Sequence, residues 1–241
     1  LAPFSPGVIC EVCGTTAAGR PLVSTLTASD GSFSLRGLPS GSGIPLVIQV
    51  GRWRRQFSVD VPKPCASNSL PARLTLPKNQ GEGDLPRIAI LTGGFDPVEC
   101  TLRKMGVDDR EFTDPGAGGR INFFMGDESG RPDDSQSVRP GRYGTGARID
   151  KNTPPQSALF ARSGGAPLIN QYDIVILECE GYPQAQQASE LAILHDYANA
   201  GGRIFVSDYA YTWLYQNGDF AQAAKWHVDQ QGDGSSVSPV N

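Results

Sequence analysis

QYDIVILECEGYPQAQQASELAILHDYANAGGRIFVSDYAY, residues 171–211, carries the pattern strand, helix, strand. Asp173 to Leu177 is a short apolar run without alternation, Ala185 to Ala200 has helical spacing, and Arg203 to Val206 opens a second apolar run behind the helix-stopping pair Gly201-Gly202. Two parallel strands joined by a helix form a βαβ unit, which belongs to a sheet covered on both faces. The second half of the chain is therefore predicted to be an open α/β layer. Its site is expected at the carboxyl ends of the strands, where Glu178-Cys179-Glu180 and Ser207-Asp208-Tyr209 fall, with Asp208 and Tyr209 as candidate binding residues.

With 241 residues the chain can hold two domains. A net charge of -4, a pI near 5.2 and no long basic run argue against nucleic acid as a partner. No apolar run reaches the roughly 18 residues needed to span a bilayer, so no transmembrane segment is predicted. The chain begins at Leu1 without a signal-peptide pattern, which fits a leader or upstream segment already removed. The 29 glycines and 19 prolines imply long loops. Five cysteines with a single Cys10-x-x-Cys13 pair, and only His195 and His227 besides, fall short of a zinc set, and no cofactor is predicted.

Residues 1–80 read as all-β. Short runs at Val8 to Val12, Leu22 to Thr27, Ser32 to Leu35, Leu46 to Val50 and Arg52 to Val61 are separated by the turn signals Ser29-Asp30-Gly31, Pro39-Ser40-Gly41 and Gly51. In the last run Trp53, Phe57, Val59 and Val61 alternate with polar residues, the pattern of a half-buried strand. Arg52, Arg54 and Arg55 are candidates for gripping an anionic glycan or partner, although charge on an edge strand also blocks sheet-to-sheet aggregation. Arg55 breaks the alternation from the apolar side and is placed near a strand end or over the ring of Trp53 or a neighbour. In a strand, Cys10 and Cys13 point to opposite faces, so one of them is expected to pair with Cys65 instead.

Within this half, PLVSTLTASDGSFSLRGLPSGSGIPLVIQVGRWRRQFSVDV, residues 21–61, resembles the carboxypeptidase regulatory-like, transthyretin-type β-sandwich. The likeness lies in an Asp-Gly-x-Phe hairpin, a Leu-Pro-x-Gly turn and a long terminal hairpin. It implies a non-catalytic spacer or adhesion unit on a secreted or cell-envelope protein.

Residues 66–86 read as a linker, with the domain boundary near Gly81 to Asp84, giving domains 1–80 and 81–241. Arg87 to Leu91 is an apolar strand turned by Thr92-Gly93-Gly94 into a helix, for which Asp96, Pro97 and Glu99 supply an N-cap, an N1 proline and a capping box. The Gly93-Gly94 loop lacks both glycine-rich phosphate patterns, so a nucleotide site is not expected. Ile121 to Met125 is a further strand. The Gly/Pro-rich stretch 126–166 is where partner contacts are expected, and its Asp127, Glu128, Asp133 and Asp134 are weak calcium candidates without the spacing of a calcium loop. Four strands are fewer than a doubly wound sheet usually has, which fits a polypeptide continuing past Asn241.

The succession ILTGGFDPVECTLRKMG, YDIVILECEG and LHDYANAGGRIFVSDYAYTWL, residues 90–106, 172–181 and 194–214, resembles the class I glutamine-amidotransferase-like fold, especially its trehalose-utilisation-type branch. The resemblance implies a flavodoxin-like, doubly wound α/β domain. That family carries its nucleophilic Cys on the elbow after the last of these strands, which here reads Ser207-Asp208-Tyr209, and no His-x-Glu follows His227. Cys179 to Gln184 is similar to the Cys-x-Gly-x-Gln elbow with one residue too many. His195, the only other histidine and the candidate base, is about 15 Å along the helix from its start and out of reach of Cys179.

The whole chain is thus expected to be a two-domain α+β protein, non-catalytic and extracellular or periplasmic, acting in self-assembly, protein binding or carbohydrate binding. The alternative is a cysteine-dependent hydrolase or amidase using Cys179. Cys100, one turn into the helix after the first parallel strand, and Cys179, at the end of the neighbouring strand, are expected to form a disulfide.

Overall fold

The computed structural model describes residues 3–10, 20–126, 147–181, 183 and 185–226. The chain is a mixed α/β protein with a two-stranded antiparallel sheet, a five-stranded parallel sheet and a minor two-stranded ribbon. It divides into two compact units, one of residues 1–5 and 11–85, the other of residues 6–10 and 86–241.

In the first unit, β1 (Gly41–Val50) pairs antiparallel with β2 (Trp53–Val61), from Val50 opposite Trp53 to Gly41 opposite Val61. Gly51 turns the chain between them at φ 54°, a left-handed conformation open to glycine. From Phe57 onward β2 alternates half-buried and exposed residues as its sequence pattern requires. Arg52 and Arg54, expected on the wet face, are instead buried. The Arg54 guanidinium lies 4.0 Å over the Phe4 ring and bonds the Asp84 carboxylate at 2.7 Å, and Arg52 donates to the Ser5 carbonyl at 2.8 Å. These two side chains hold the unit together and do not line its surface. Arg55 stacks 5.0 Å from Phe57 and pairs with Glu82 at 2.9 Å.

The expected strands at 22–27 and 32–35 do not form, and residues 8–10 are not strand either. Only the local turn chemistry survives: the Ala28 N–H donates to the Ser32 carbonyl at 2.8 Å, and the Asp30 carboxylate accepts the Ser32 N–H at 2.9 Å. A turn closes on its own residues, whereas a ladder needs an apolar layer beneath it. Leu22 and Leu26 have none, being 84% and 92% exposed. Leu85 and Pro77 are the buried apolar side chains of this unit among the described residues.

The second unit holds the core. Its strands β3 (Ile88–Thr92), β4 (Phe112–Thr113), β5 (Ile121–Met125), β8 (Ile174–Leu177) and β9 (Arg203–Val206) lie parallel in the order β4-β5-β3-β8-β9; the ribbon of β6 (Arg162–Ser163) and β7 (Ala166–Pro167) precedes β8. All of β3 is buried, as an apolar run between two neighbours should be. On one face Ala89, Leu91, Phe124, Val175 and Leu177 pack against α2 (Gln156–Phe160) and α3 (Ala188–Asn199), through Leu159, Phe160, Leu191, Leu194 and Tyr197, with Trp213 stacked 5.3 Å from Phe160. The buried hydroxyls are satisfied: Tyr172 donates to Asn122 Oδ1 at 3.0 Å and Tyr197 to the Tyr172 carbonyl at 3.2 Å. Burial pushes the Tyr172 phenol up to about 12 and Tyr197 further still.

The other face carries Ile88, Ile90, Ile121, Phe123 and Ile176, while α1 (Val98–Lys104) contributes the buried Leu102. β9, at the sheet edge, leaves Phe205 52% exposed. Two short helices, α4 (Thr212–Tyr215) and α5 (Gly218–Ala221), follow β9. No helix among the described residues is long and apolar enough to cross a membrane.

A two-stranded hairpin with so little buried apolar area is marginal beside a five-stranded core. Native-state hydrogen exchange should therefore show the amides of β3 and β8 opening only with the global transition, and those of β1 and β2 with protection at least a hundredfold lower. Equal protection in the two sheets would contradict this division of stability.

Candidate functional site

The strand order reverses at β3: the chain passes to β5 on one side and later to β8 and β9 on the other. Ligands of open parallel sheets bind at such a reversal, beyond the carboxyl ends of the strands. Here those ends are Gly93 after β3, Glu178-Cys179-Glu180 after β8 and Ser207-Asp208-Tyr209 after β9. Sequence reading placed the second and third; Gly93 shows why the three come together. A Cβ on residue 93 would lie 2.0 Å from the Cys179 carbonyl oxygen, so only glycine lets the loop cross the end of β8.

The predicted capping box does not form. α1 begins at Val98 behind Pro97, and neither Asp96 nor Glu99 caps it through a side chain. The acceptor comes from β8 instead: Glu178 Oε1 takes the Glu99 N–H at 3.3 Å, and Oε2 takes the Gly93 N–H at 3.1 Å. One carboxyl group thus holds both ends of the loop 93–99. Phe95 adds a third tie, donating its N–H to the Cys179 carbonyl at 3.3 Å. A cap supplied by a distant strand leaves no local signature, which is why the sequence did not show it.

Glu178 is buried, and the Glu99 side chain stands against it. Burial first, and the neighbouring Glu99 carboxyl second, push Glu178 well above the ordinary glutamate range. Glu99 Oε2 is buried without a hydrogen-bond partner. Beside Glu178 lies a cavity of about 10 Å³ lined also by Glu180, Gln186, Tyr209, Ala210, Thr212 and Trp213, room for a single water. Glu180 is buried too, its carboxyl reaching the backbone of Gly126 at the end of β5, where a Cβ would stand 2.6 Å from it.

Cys179 is 1% exposed. Its N–H donates to Ser207 Oγ at 3.1 Å, its sulfur accepts the Gly181 N–H at 3.3 Å, and Sγ lies 3.5 Å from Asp208 Oδ2. Burial dominates and pushes the thiol up to about 11, the bonds from Tyr209 and Gly181 only partly opposing it. At neutral pH it is a neutral thiol donating toward Asp208, the reverse of an activated nucleophile. His195 is engaged elsewhere, 2.9 Å from Asp219 on α5 and within 3.3 Å of Asn199.

The expected bond between Cys100 and Cys179 is not formed; both are free thiols. Cys179 faces Asp208, while Cys100 lines a surface hollow with Arg103, Lys104 and Asp109. Cys65 and Cys10 are free and exposed. Cys13 lies outside the described residues, as do Asp127, Glu128, Asp133, Asp134 and His227.

Asp96 completes the rim. Its carboxylate, the Cys179 sulfur and the Asp208 carboxylate converge to within 4.8 Å of one another. One protonated thiol and two outward carboxylates, with no imidazole among the described neighbours, make an acid–thiol cluster and not a closed metal centre. Asp208 adopts φ 38°, a conformation that Asp tolerates better than most residues. Phe95 lies on Gly181, where a Cβ would meet its ring at 2.2 Å, yet keeps 43% of its surface exposed. The rim therefore shows solvent one aromatic ring and two carboxylates above a buried acid pair. No protein family, curated protein or solved structure matches the chain.

Two outcomes follow from this geometry. Iodoacetamide should modify Cys10 and Cys65 in the native chain and Cys179 only after denaturation; rapid native labelling of Cys179 would refute its burial. Because the Glu178 value is raised on folding, the folded state binds the extra proton: its contribution is present at low pH and is lost as pH rises through the folded value. Urea melts of the wild type should weaken from about pH 5 upward, by at most about 1.4 kcal/mol per pH unit from this group. Glu99→Gln, whose amide can donate to an ionised Glu178, should flatten that slope.

Proposed function

We propose that the chain is a non-catalytic binding protein of the cell envelope or extracellular space, whose second unit presents the rim of Phe95, Asp96 and Asp208 to a neutral carbohydrate. The observation that carries the reading is the state of Cys179: buried, protonated, and without an imidazole beside it among the described residues, His195 being engaged with Asp219. Reversal of strand order at β3 supports the flavodoxin-like, doubly wound assignment and the likeness to a degenerate amidotransferase-like domain whose elbow has Ser207-Asp208-Tyr209 in place of the nucleophile. The first unit, with its long hairpin and Asp30-Gly31 turn, takes the part of a regulatory-like spacer in this reading.

Carbohydrate suits the rim's chemistry better than an anion does. An exposed ring such as Phe95 packs against the C–H face of a pyranose, and carboxylates accept hydroxyl protons while repelling phosphate or sulfate. The acidic total charge acts in the same direction.

Affinity electrophoresis of the intact chain in gels containing neutral polysaccharides (amylopectin, xylan or a β-glucan) tests this. Retardation by at least one of them is expected, weakened about tenfold, or ~1.4 kcal/mol, by Phe95→Ala and by Asp208→Asn, and unchanged by Cys100→Ser. Hydrolysis of an activated ester or of glutamine that disappears in Cys179→Ser would sink the reading and establish the hydrolase.

A further inference from the structure

The last strand of the parallel sheet, β9, pairs with β8 on one side and with no strand on the other among the described residues. Arg203 donates its N–H to the Asp173 carbonyl at 3.3 Å and Ser207 donates to the Leu177 carbonyl at 3.1 Å, both across to the β8 side. In a parallel ladder alternate residues bond to the same neighbour, so Ile204 and Val206 turn their N–H and carbonyl groups away from β8. Their side chains pack on the core, which leaves Phe205 on the opposite face of the sheet, 52% exposed at its edge. We propose that this edge joins a second copy of the chain: two β9 strands pair antiparallel about a two-fold axis through Phe205, making the two five-stranded sheets one.

The edge complements itself in that register. Each Ile204 faces the second copy's Val206 and the two exchange both bonds, so every outward N–H of β9 finds an outward carbonyl. Phe205 then stands opposite its own copy in a non-hydrogen-bonded pair, with Cα atoms about 4.5 Å apart and both rings on the same face. Charge selects the same axis. The two Arg203 residues lie four positions apart along the ladder, about 13 Å and beyond the screening length of roughly 8 Å, whereas an axis through Ile204 would halve that separation. Each end of the ladder carries Arg203 of one copy opposite Ser207 of the other, with the exposed Asp208 next in line, so cation meets anion at both ends.

Nothing between Arg203 and Ser207 blunts the edge: Ile204, Phe205 and Val206 include neither charge nor proline, the usual guards of an exposed strand. The opposite edge, β4, is two residues long and offers no comparable ladder. A contact of β9 with itself uses up both edges it joins, so assembly closes at the dimer. A four-residue edge falls short of the roughly 1,600 Å² of a standard interface, which makes the dimer weak and concentration-dependent. Because the axis reverses strand direction, the two carboxyl-end rims point to opposite ends of the doubled sheet. The pairing itself does not depend on what those rims bind.

Sedimentation equilibrium of the intact 25.7 kDa chain tests the pairing. Between about 1 and 500 µM the weight-average mass should climb from the monomer value toward twice it, with a midpoint of roughly 10–100 µM, as a contact this small implies. Amide exchange locates the contact: Ile204 and Val206 should gain at least tenfold protection between the dilute and the concentrated sample, while Phe205, whose N–H faces β8, stays unchanged. Phe205→Lys and Phe205→Glu alter an exposed side chain, and each should weaken association about thirtyfold by setting like charges opposite each other at the axis. Mixed one to one, the two variants should associate again, because opposite charges then meet there. A wild type that stays monomeric throughout, a dimer indifferent to both substitutions, or a mixture that remains monomeric would overturn the proposal. If the variants do not fold, the mass and the two amides of the wild type decide alone.

Discussion

Where the loop after β3 crosses the end of β8, two backbones approach more closely than any side chain at residue 93 would permit. The approach is what brings the Gly93 N–H, the Phe95 N–H and the Glu99 N–H within reach of β8, and those three bonds place α1 and Asp96. The parallel ladder itself would form with many apolar sequences, since its bonds are all backbone. The rim would not. Its geometry depends on a residue that has no side chain and on a neighbour, Glu178, whose carboxyl is held out of bulk water.

How much of this could be read from the chain depends on how local each signal is. The four parallel strands at 88–92, 121–125, 174–177 and 203–206 were legible, because each is an apolar run of the length and setting that a buried strand requires. Helix α3 was legible from its spacing and from the Gly201-Gly202 stop. The short edge strand β4 was not, being two residues in a stretch rich in turn signals. The strands expected at 22–27 and 32–35 were short runs between turn signals with no layer to cover, and a turn at Asp30-Gly31 is all that local chemistry could secure.

At the rim the same distinction applies. Strand ends told where Cys179, Asp208 and Tyr209 would cluster, since topology alone fixes that edge. Asp96 and Glu99 were read as a helix cap because their spacing fits one, and the competing partner, Glu178, 79 positions beyond Glu99, is invisible to spacing. Pairing of Cys100 with Cys179 failed for a related reason: proximity on one rim does not fix the direction of a side chain, and Cys179 turns toward Asp208.

The left-handed backbone at Asp208 has an evolutionary side. Residues that settle there without strain are few, chiefly glycine, asparagine and aspartate. Random substitution at this position is thus filtered twice, once by the backbone and once by whatever the carboxylate does. Asparagine passes the first filter and changes only charge, and glycine passes it and removes the group. A lineage that no longer used the rim would drift at 208 among those three residues before any other, leaving the fold untouched, so the residue found there in a divergent copy would report on the use of the site and not on the soundness of the sheet.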